Sequence, residues 1–194
     1  MRAFVIAMEK EAEPLRPRLR PDDRLYVSGV GKVNAAAATM RAICDGATEI
    51  WNIGLAGGFD PSMEIGDLYE ISEAVEYDFD LAEINGTRVG QLDERDSPYL
   101  PLAPLNRFPK RRLASGDRFG AGERELALFR ALGTTVRDME GAAIAHVCEK
   151  ASIPCHAVKC ISDVIGKGRL IDQYAEHLSF CLSRLGLPLD ESAG

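Results

Sequence analysis

Apolar residues follow two rhythms along this chain, and the switches between them mark out its elements. Arg2–Met8 is a near-continuous apolar run, which suits a strand buried on both faces, as in a parallel sheet. A charged helix is expected over Glu11–Leu19, and Pro14, Pro17 and Pro21 punctuate the basic stretch around its end. The extended run Leu25–Val27 leads into an alanine-rich helix, Val33–Cys44, in residues that favour helix and pack close to a sheet. Glu49–Ile53 reads as the next strand and opens on the most glycine-dense loop of the chain, Gly54–Pro61. Leu68–Ser72 and Ala74–Tyr77 read as extended, Ile84–Phe108 as irregular, Arg111–Ser115 as a short strand and Gly122–Leu132 as a helix. Thr134–Arg137 is extended again. Ala143, Val147 and Ala151 recur at helical spacing in Ala142–Ala151, and Pro154 stops that helix. His156–Ile161 is a β-rich run of strand length, and an amphipathic helix over Leu170–Leu185 closes the pattern. Strands alternating with helices predict an α/β fold.

Length and composition narrow this picture. The 194 residues suit one domain over 1–194 with a sizeable core. A net charge of −7 argues against a nonspecific grip on nucleic acid or on an anionic membrane. No apolar run approaches membrane-spanning length, and the apolar start is too short for a secretory signal, so a cytoplasmic protein is expected. Cys44, Cys148, Cys155, Cys160 and Cys181 form no C-x-x-C pair and read as buried, inert thiols. His146, His156 and His177 lack metal-ligand spacing and read as structural or surface residues.

The candidate chemistry lies where strands end. In open α/β sheets, ligands sit outside the carboxyl ends of strands. Val136–Val164 is a strand–helix–strand unit with Glu140 at one exit and Ser162-Asp163 at the other. Two carboxylates there suit one small molecule. Equally, Glu140 suits a first-turn acid favoured by the helix dipole, and Asp163 a helix cap. At the exit of the first strand, one of Glu9, Glu11 and Glu13 is placed to turn inward. Gly29-Val30-Gly31 does not complete a dinucleotide fingerprint, because Asn34 stands where the third glycine belongs. Gly54–Gly58 suits a phosphate cradle or a flat ligand close to bare backbone, but lacks the Lys-Ser/Thr of a P-loop.

Taken together, the strand exits resemble one family. Ala7-Met8-Glu9-Lys10-Glu11, Ser28-Gly29-Val30-Gly31-Lys32-Val33-Asn34-Ala35, Gly54-Leu55-Ala56-Gly57-Gly58, Ser115-Gly116-Asp117-Arg118-Phe119, Met139-Glu140-Gly141-Ala142 and Ile161-Ser162-Asp163 look like the motifs of 5′-methylthioadenosine/S-adenosylhomocysteine nucleosidases, in that family's order. These belong to the purine nucleoside phosphorylase superfamily. The resemblance implies a three-layer α/β/α fold with a twisted mixed central sheet, usually as a homodimer. It implies hydrolysis of the N-glycosidic bond of a 5′-modified adenine nucleoside, with water as co-substrate and without metal or cofactor. Carried over position by position, Glu11 activates the water and Asp163, beside Ser162, protonates the purine at N7. Glu140 accepts the ribose hydroxyls and Met139 packs beside the sugar. Phe119 stacks on adenine, the Gly120 backbone meets the purine edge, Ala56 and Gly57 back the base pocket, and Val30 lies near the water and sugar.

The chemistry is coherent on its own terms. Breaking a C–N glycosidic bond builds positive charge on the ribose and negative charge on the purine. One acid must neutralise the leaving base, while another group orients water on the opposite face of the sugar. Departures from the family pattern stand beside the matches. The chain is shorter than usual, Leu55 replaces a common serine, Arg118 a small residue, and Lys159-Cys160 a more usual Arg-Ala. Tyr77–Leu92, which in the family helps build the 5′-substituent pocket, matches only loosely. The competing readings are a futalosine-type hydrolase or a nucleosidase of hopanoid synthesis, a phosphorylase, and a non-catalytic nucleoside-binding module. A phosphorylase needs arginines for phosphate, and Gly31-Lys32 offers none.

Overall fold

A computed structural model describes residues 1–92, 94–120 and 122–190. Its strands are β1 (Arg2–Ile6), β2 (Arg24–Val27), β3 (Glu49–Gly58), β4 (Leu68–Glu76), β5 (Leu100–Pro101), β6 (Lys110–Ser115), β7 (Val136–Asp138) and β8 (Cys155–Val164). Its α-helices are α1 (Glu9–Ala12), α2 (Lys32–Cys44), α3 (Ala82–Asn85), α4 (Glu123–Ala131), α5 (Gly141–Lys150) and α6 (Leu170–Arg184). All strands join one mixed sheet, ordered β2-β1-β3-β7-β6-β4-β5, with β8 paired to both β3 and β4. Pairing therefore runs in a closed circuit through β3, β8, β4, β6 and β7.

Burial alternates as the apolar runs require. In β1, Ala3 and Val5 point into one core cluster, Phe4 and Ile6 into another. The first cluster includes Ala35 and Ala42 of α2 and Ala142, Ile144 and Ala145 of α5. The second includes Ala12 and Leu15 from the α1 segment and Cys181 and Leu185 from α6 and its end. The sheet thus has helices on both faces, the three-layer arrangement expected. A smaller cluster seats Phe129 of α4 on Tyr77 and Ala114.

Several expected elements need correction. The helix expected over Glu11–Leu19 is only the single turn of α1, followed by a 3-10 turn at Arg16–Arg18. Pro14 and Pro17 lack the amide hydrogens that a continuing helix would use. The glycine run Gly54–Gly58 is not a loop but the buried second half of β3, flanked by β7 and β8. Glycine is required there by neighbours rather than by a turn. A Cβ on Gly57 would lie 2.5 Å from the Arg137 guanidinium, and one on Gly58 2.9 Å from the Met63 sulfur. The last sheet strand runs on to Val164, beyond the expected end at Ile161. Of the cysteines, all free, Cys44 is exposed and the others are buried.

One irregularity positions the site. Ala56 pairs with Ile161, but the next residue, Gly57, pairs with Asp163, so Ser162 is an extra residue in β8. Such a bulge re-aims the side chains that follow it. Lys159 and Ile161 alternate onto the α2/α5 face, where Ile161 joins that core. Without the bulge Asp163 would share their face. With it, Asp163 shares a row with Gly57 and Arg137 on the opposite face.

Candidate active site

The strand ends converge on a cavity of about 260 Å³. Of the residues picked out from the sequence, Glu11, Asp163, Glu140, Met139, Phe119, Ala56, Gly57, Val30 and Ser162 line it. Gly120, one residue past Phe119 and at φ +88°, does not. A larger cleft, about 520 Å³, lies between β2 and α2, but no carboxylate lines it.

Of the three acids after β1, only Glu11 turns inward; Glu9 and Glu13 are exposed, and Glu9 pairs with Arg16 at 2.5 Å. The Glu11 carboxylate accepts the Leu55 amide at 2.8 Å and the Met8 amide at 3.1 Å. The second contact belongs to the first turn of α1, so the helix start holds the acid in place. Gly54 leaves room for it, since a Cβ there would stand 3.2 Å from Oε1. Burial raises the Glu11 pKa, against the pull of the two backbone amides and Lys159.

Glu140 sits at the break between β7 and α5 and accepts the Gly31 amide at 2.9 Å. Gly31 adopts φ +102°, a conformation that L side chains rarely take, and so brings the loop after β2 to the acid. Burial raises the Glu140 pKa to about 7, helped by neighbouring Asp138 and opposed by Lys159 and the Gly31 amide. Asp138 accepts the Lys159 ammonium at 2.8 Å, Ser115 Oγ at 2.5 Å and the Gly141 amide at 2.9 Å. Burial disfavours charge on Lys159, but Asp138, Glu140 and Glu11 outweigh it and raise its pKa.

Asp163 occupies the other end of the cavity. Its carboxylate accepts Ser162 Oγ at 2.9 Å and the Arg137 guanidinium. Both partners are buried. Burial raises the Asp163 pKa, while Arg137 and the Ser162 hydroxyl oppose the rise. Phe119, 53% exposed, stands at the cavity mouth edge-on to Tyr174, whose ring lies 6.2 Å away.

Sequence reasoning missed Arg137, Asp138, Lys159 as a site residue, and the α6 wall of Ile171 and Tyr174. Arg137 carried one legible signal: a cation that closes the short extended run Thr134–Arg137 at a strand exit. Among the described residues, no three His, Cys, Asp or Glu side chains are grouped to hold a metal ion. No described helix is long and apolar enough to cross a membrane.

The profile of the phosphorylase superfamily matches residues 24–181. A 5′-methylthioadenosine/S-adenosylhomocysteine nucleosidase of Colwellia psychrerythraea is 32% identical over 82% of this chain and 75% of its own length. That of Haemophilus ducreyi is 31% identical over 80% of this chain and 70% of its own. Among solved structures, the Helicobacter pylori nucleosidase of this type, complexed with a pyrrolopyrimidine-bearing pyrrolidine, superposes with TM-score 0.86 at 22% identity, covering 96% of this chain and 94% of that one. The Helicobacter pylori futalosine hydrolase superposes equally well, at TM-score 0.86 and 21% identity with the same coverage of each chain. Both likenesses establish the fold.

Proposed function

Because the chain belongs to the 5′-methylthioadenosine/S-adenosylhomocysteine nucleosidases of the phosphorylase superfamily, we infer that it hydrolyses the N-glycosidic bond of a 5′-modified adenine nucleoside and releases adenine. The observation that carries this reading is the convergence of Glu11, Glu140 and Asp163 on one cavity from three separate strand exits.

The proposed steps give each lining residue a task. The adenine lies against Phe119 and the bare backbone of Ala56 and Gly57, with N7 towards Asp163. The ribose lies beside Met139 and Val30, with its hydroxyls on Glu140. Glu11 takes a proton from water as the oxygen attacks the anomeric carbon. The C–N bond breaks with its electron pair going to the purine, and Asp163 supplies a proton at N7. Burial already raises the pKa of Asp163, and release from Arg137 would raise it further, so the arriving base helps to protonate its own acid. Each acid or base contributes roughly 10²–10⁴-fold.

The chain is proposed to work as a single nucleosidase domain, in the cytoplasm, as a homodimer. Val27, Val30, Val33 and Met40 are exposed around β2 and α2, which supports a partner-covered face there. A panel of methylthioadenosine, adenosylhomocysteine and 6-amino-6-deoxyfutalosine, each with and without phosphate, tests the reaction. Adenine release without phosphate is expected from at least one of them. A strict phosphate requirement would make the enzyme a phosphorylase. No release from any would leave a binding protein.

A further inference from the structure

Arg137 enters the hydrolysis set out above only as the partner that Asp163 must leave, yet it is built into the base end of the cavity. Strand register places Arg137 of β7, Gly57 of β3 and Asp163 of β8 in one row across three adjacent strands. The middle residue has no side chain. The guanidinium therefore lies flat over Gly57 and reaches Asp163 beyond it; a Cβ on Gly57 would stand 2.5 Å from the guanidinium carbon and from Nη2. Only 6% of the Arg137 side chain is exposed. Its Nε is buried without a hydrogen-bond partner. Its guanidinium carbon lies 5.6 Å from the centre of the Phe119 ring, the ring proposed to stack on the base. A buried guanidinium with an unused donor, lining a cavity, is unfinished recognition chemistry.

The purine edge that meets Asp163 carries N7 and the substituent on C6. Arginine can only donate hydrogen bonds. Adenine offers it one acceptor, N7, and confronts it with the donor N6. A 6-oxopurine offers two adjacent acceptors, N7 and O6, the pair that an arginine fork grips bidentately on guanine in DNA. Protonated Asp163 has the complementary pattern for adenine, one donor and one acceptor. Asp163 and Arg137 together cover both kinds of base.

We propose that Arg137 is a specificity-determining residue that extends this site to 6-oxopurine nucleosides, gripping N7 and O6 of a hypoxanthine-type base; this rests on the nucleosidase reading above. No new bond chemistry is involved. Glu11 takes a proton from water as its oxygen adds at the anomeric carbon, the C–N bond breaks with its electron pair going to the purine, and Arg137 holds the resulting anion at N7 and O6 until it takes up a proton from solvent on release.

The test compares methylthioadenosine with its 6-oxo counterpart, methylthioinosine, on the full chain. A parallel measurement of adenine and hypoxanthine affinity by calorimetry needs no turnover. Release of hypoxanthine from methylthioinosine is expected, with hypoxanthine bound at least as tightly as adenine. A bidentate contact discriminates by roughly 10- to 100-fold. Arg137→Met should therefore lower the 6-oxo to 6-amino ratio of kcat/KM by that factor. Arg137→Lys, which keeps the charge but loses the fork, should restore only part of it. Adenine release with neither hydrolysis of methylthioinosine nor hypoxanthine binding would overturn the inference and leave the nucleosidase reading intact. Equal losses on both nucleosides in Arg137→Met would also overturn it, reducing Arg137 to a structural partner of Asp163. Hypoxanthine binding without any hydrolysis would uphold the assignment of Arg137 while removing the nucleosidase reading.

Discussion

Replacing Glu11 by glutamine separates what this acid does for the fold from what it does for the reaction. The carboxylate accepts two backbone amides, Leu55 at 2.8 Å and Met8 at 3.1 Å. Glutamine keeps one oxygen, so its amide group must face one of those donors. A buried donor left without an acceptor costs about 1–3 kcal/mol. Glutamine also escapes the burial penalty on the carboxylate that raises the Glu11 pKa. The two terms oppose each other, and a net loss of about 1–2 kcal/mol is expected. Natural domains hold roughly 5–15 kcal/mol in reserve, so the variant should remain folded at 25 °C. Its turnover should nevertheless fall about 10²–10⁴-fold, because glutamine cannot take the proton from water. That corresponds to about 3–5 kcal/mol on the barrier. Urea unfolding gives the first number, and an adenine-release assay at saturating nucleoside gives the second. Calorimetric binding of adenine should be retained. Turnover within tenfold of wild type would remove Glu11 from the base role. Loss of activity, adenine binding and folded fraction in step would make Glu11 a structural residue only.

Asp163→Asn should leave the fold intact and lower turnover by about 10² or more, since the leaving base loses its proton donor; near-normal turnover would place the acid elsewhere. Gly57→Ala places a Cβ 2.5 Å from the Arg137 guanidinium and should destabilise by about 1–3 kcal/mol through overpacking; an unchanged urea midpoint would mean the row yields freely. Glu140 predicts a pH effect. Its folded pKa, about 7, lies above the ordinary 4.5, so the folded state holds the proton more tightly than the unfolded. Its contribution to stability is complete below about pH 4.5 and is lost as the pH rises towards 7, at no more than about 1.4 kcal/mol per pH unit. Glu140→Gln should remove that slope from stability measured between pH 5 and 7, and parallel curves for variant and wild type would refute it.

The parts of this molecule legible in the sequence are those fixed by local pattern. The unbroken apolar run of β1 reads as a strand buried on both faces, and both core clusters draw on it. Glu140 and Asp163 are legible because strand exits are where ligands sit. The glycine run in β3 misleads because glycine signals turns by itself, whereas here it answers to Arg137 and Met63 lying over the strand. Arg137 and the role of Lys159 stay hidden for a different reason. Their partners, Asp163 and Asp138, are chosen by cross-strand register, and for Arg137 that register depends on one extra residue, Ser162, which no hydrophobic pattern marks.

That extra residue also divides the charge of the site. Four buried carboxylates, of Glu11, Asp138, Glu140 and Asp163, face two buried cations, Lys159 and Arg137. Were Asp163 on the face of Lys159, all four acids would share one ammonium, and more of them would be forced to hold protons. The bulge moves Asp163 to the opposite face, where Arg137 serves it alone. Lys159 remains the counter-charge for Asp138, Glu140 and Glu11. The Glu11 end and the Asp163 end therefore have different counter-cations. Burial raises the pKa of both Glu11 and Asp163, each is opposed by its own cation, and so the two ends can change protonation separately.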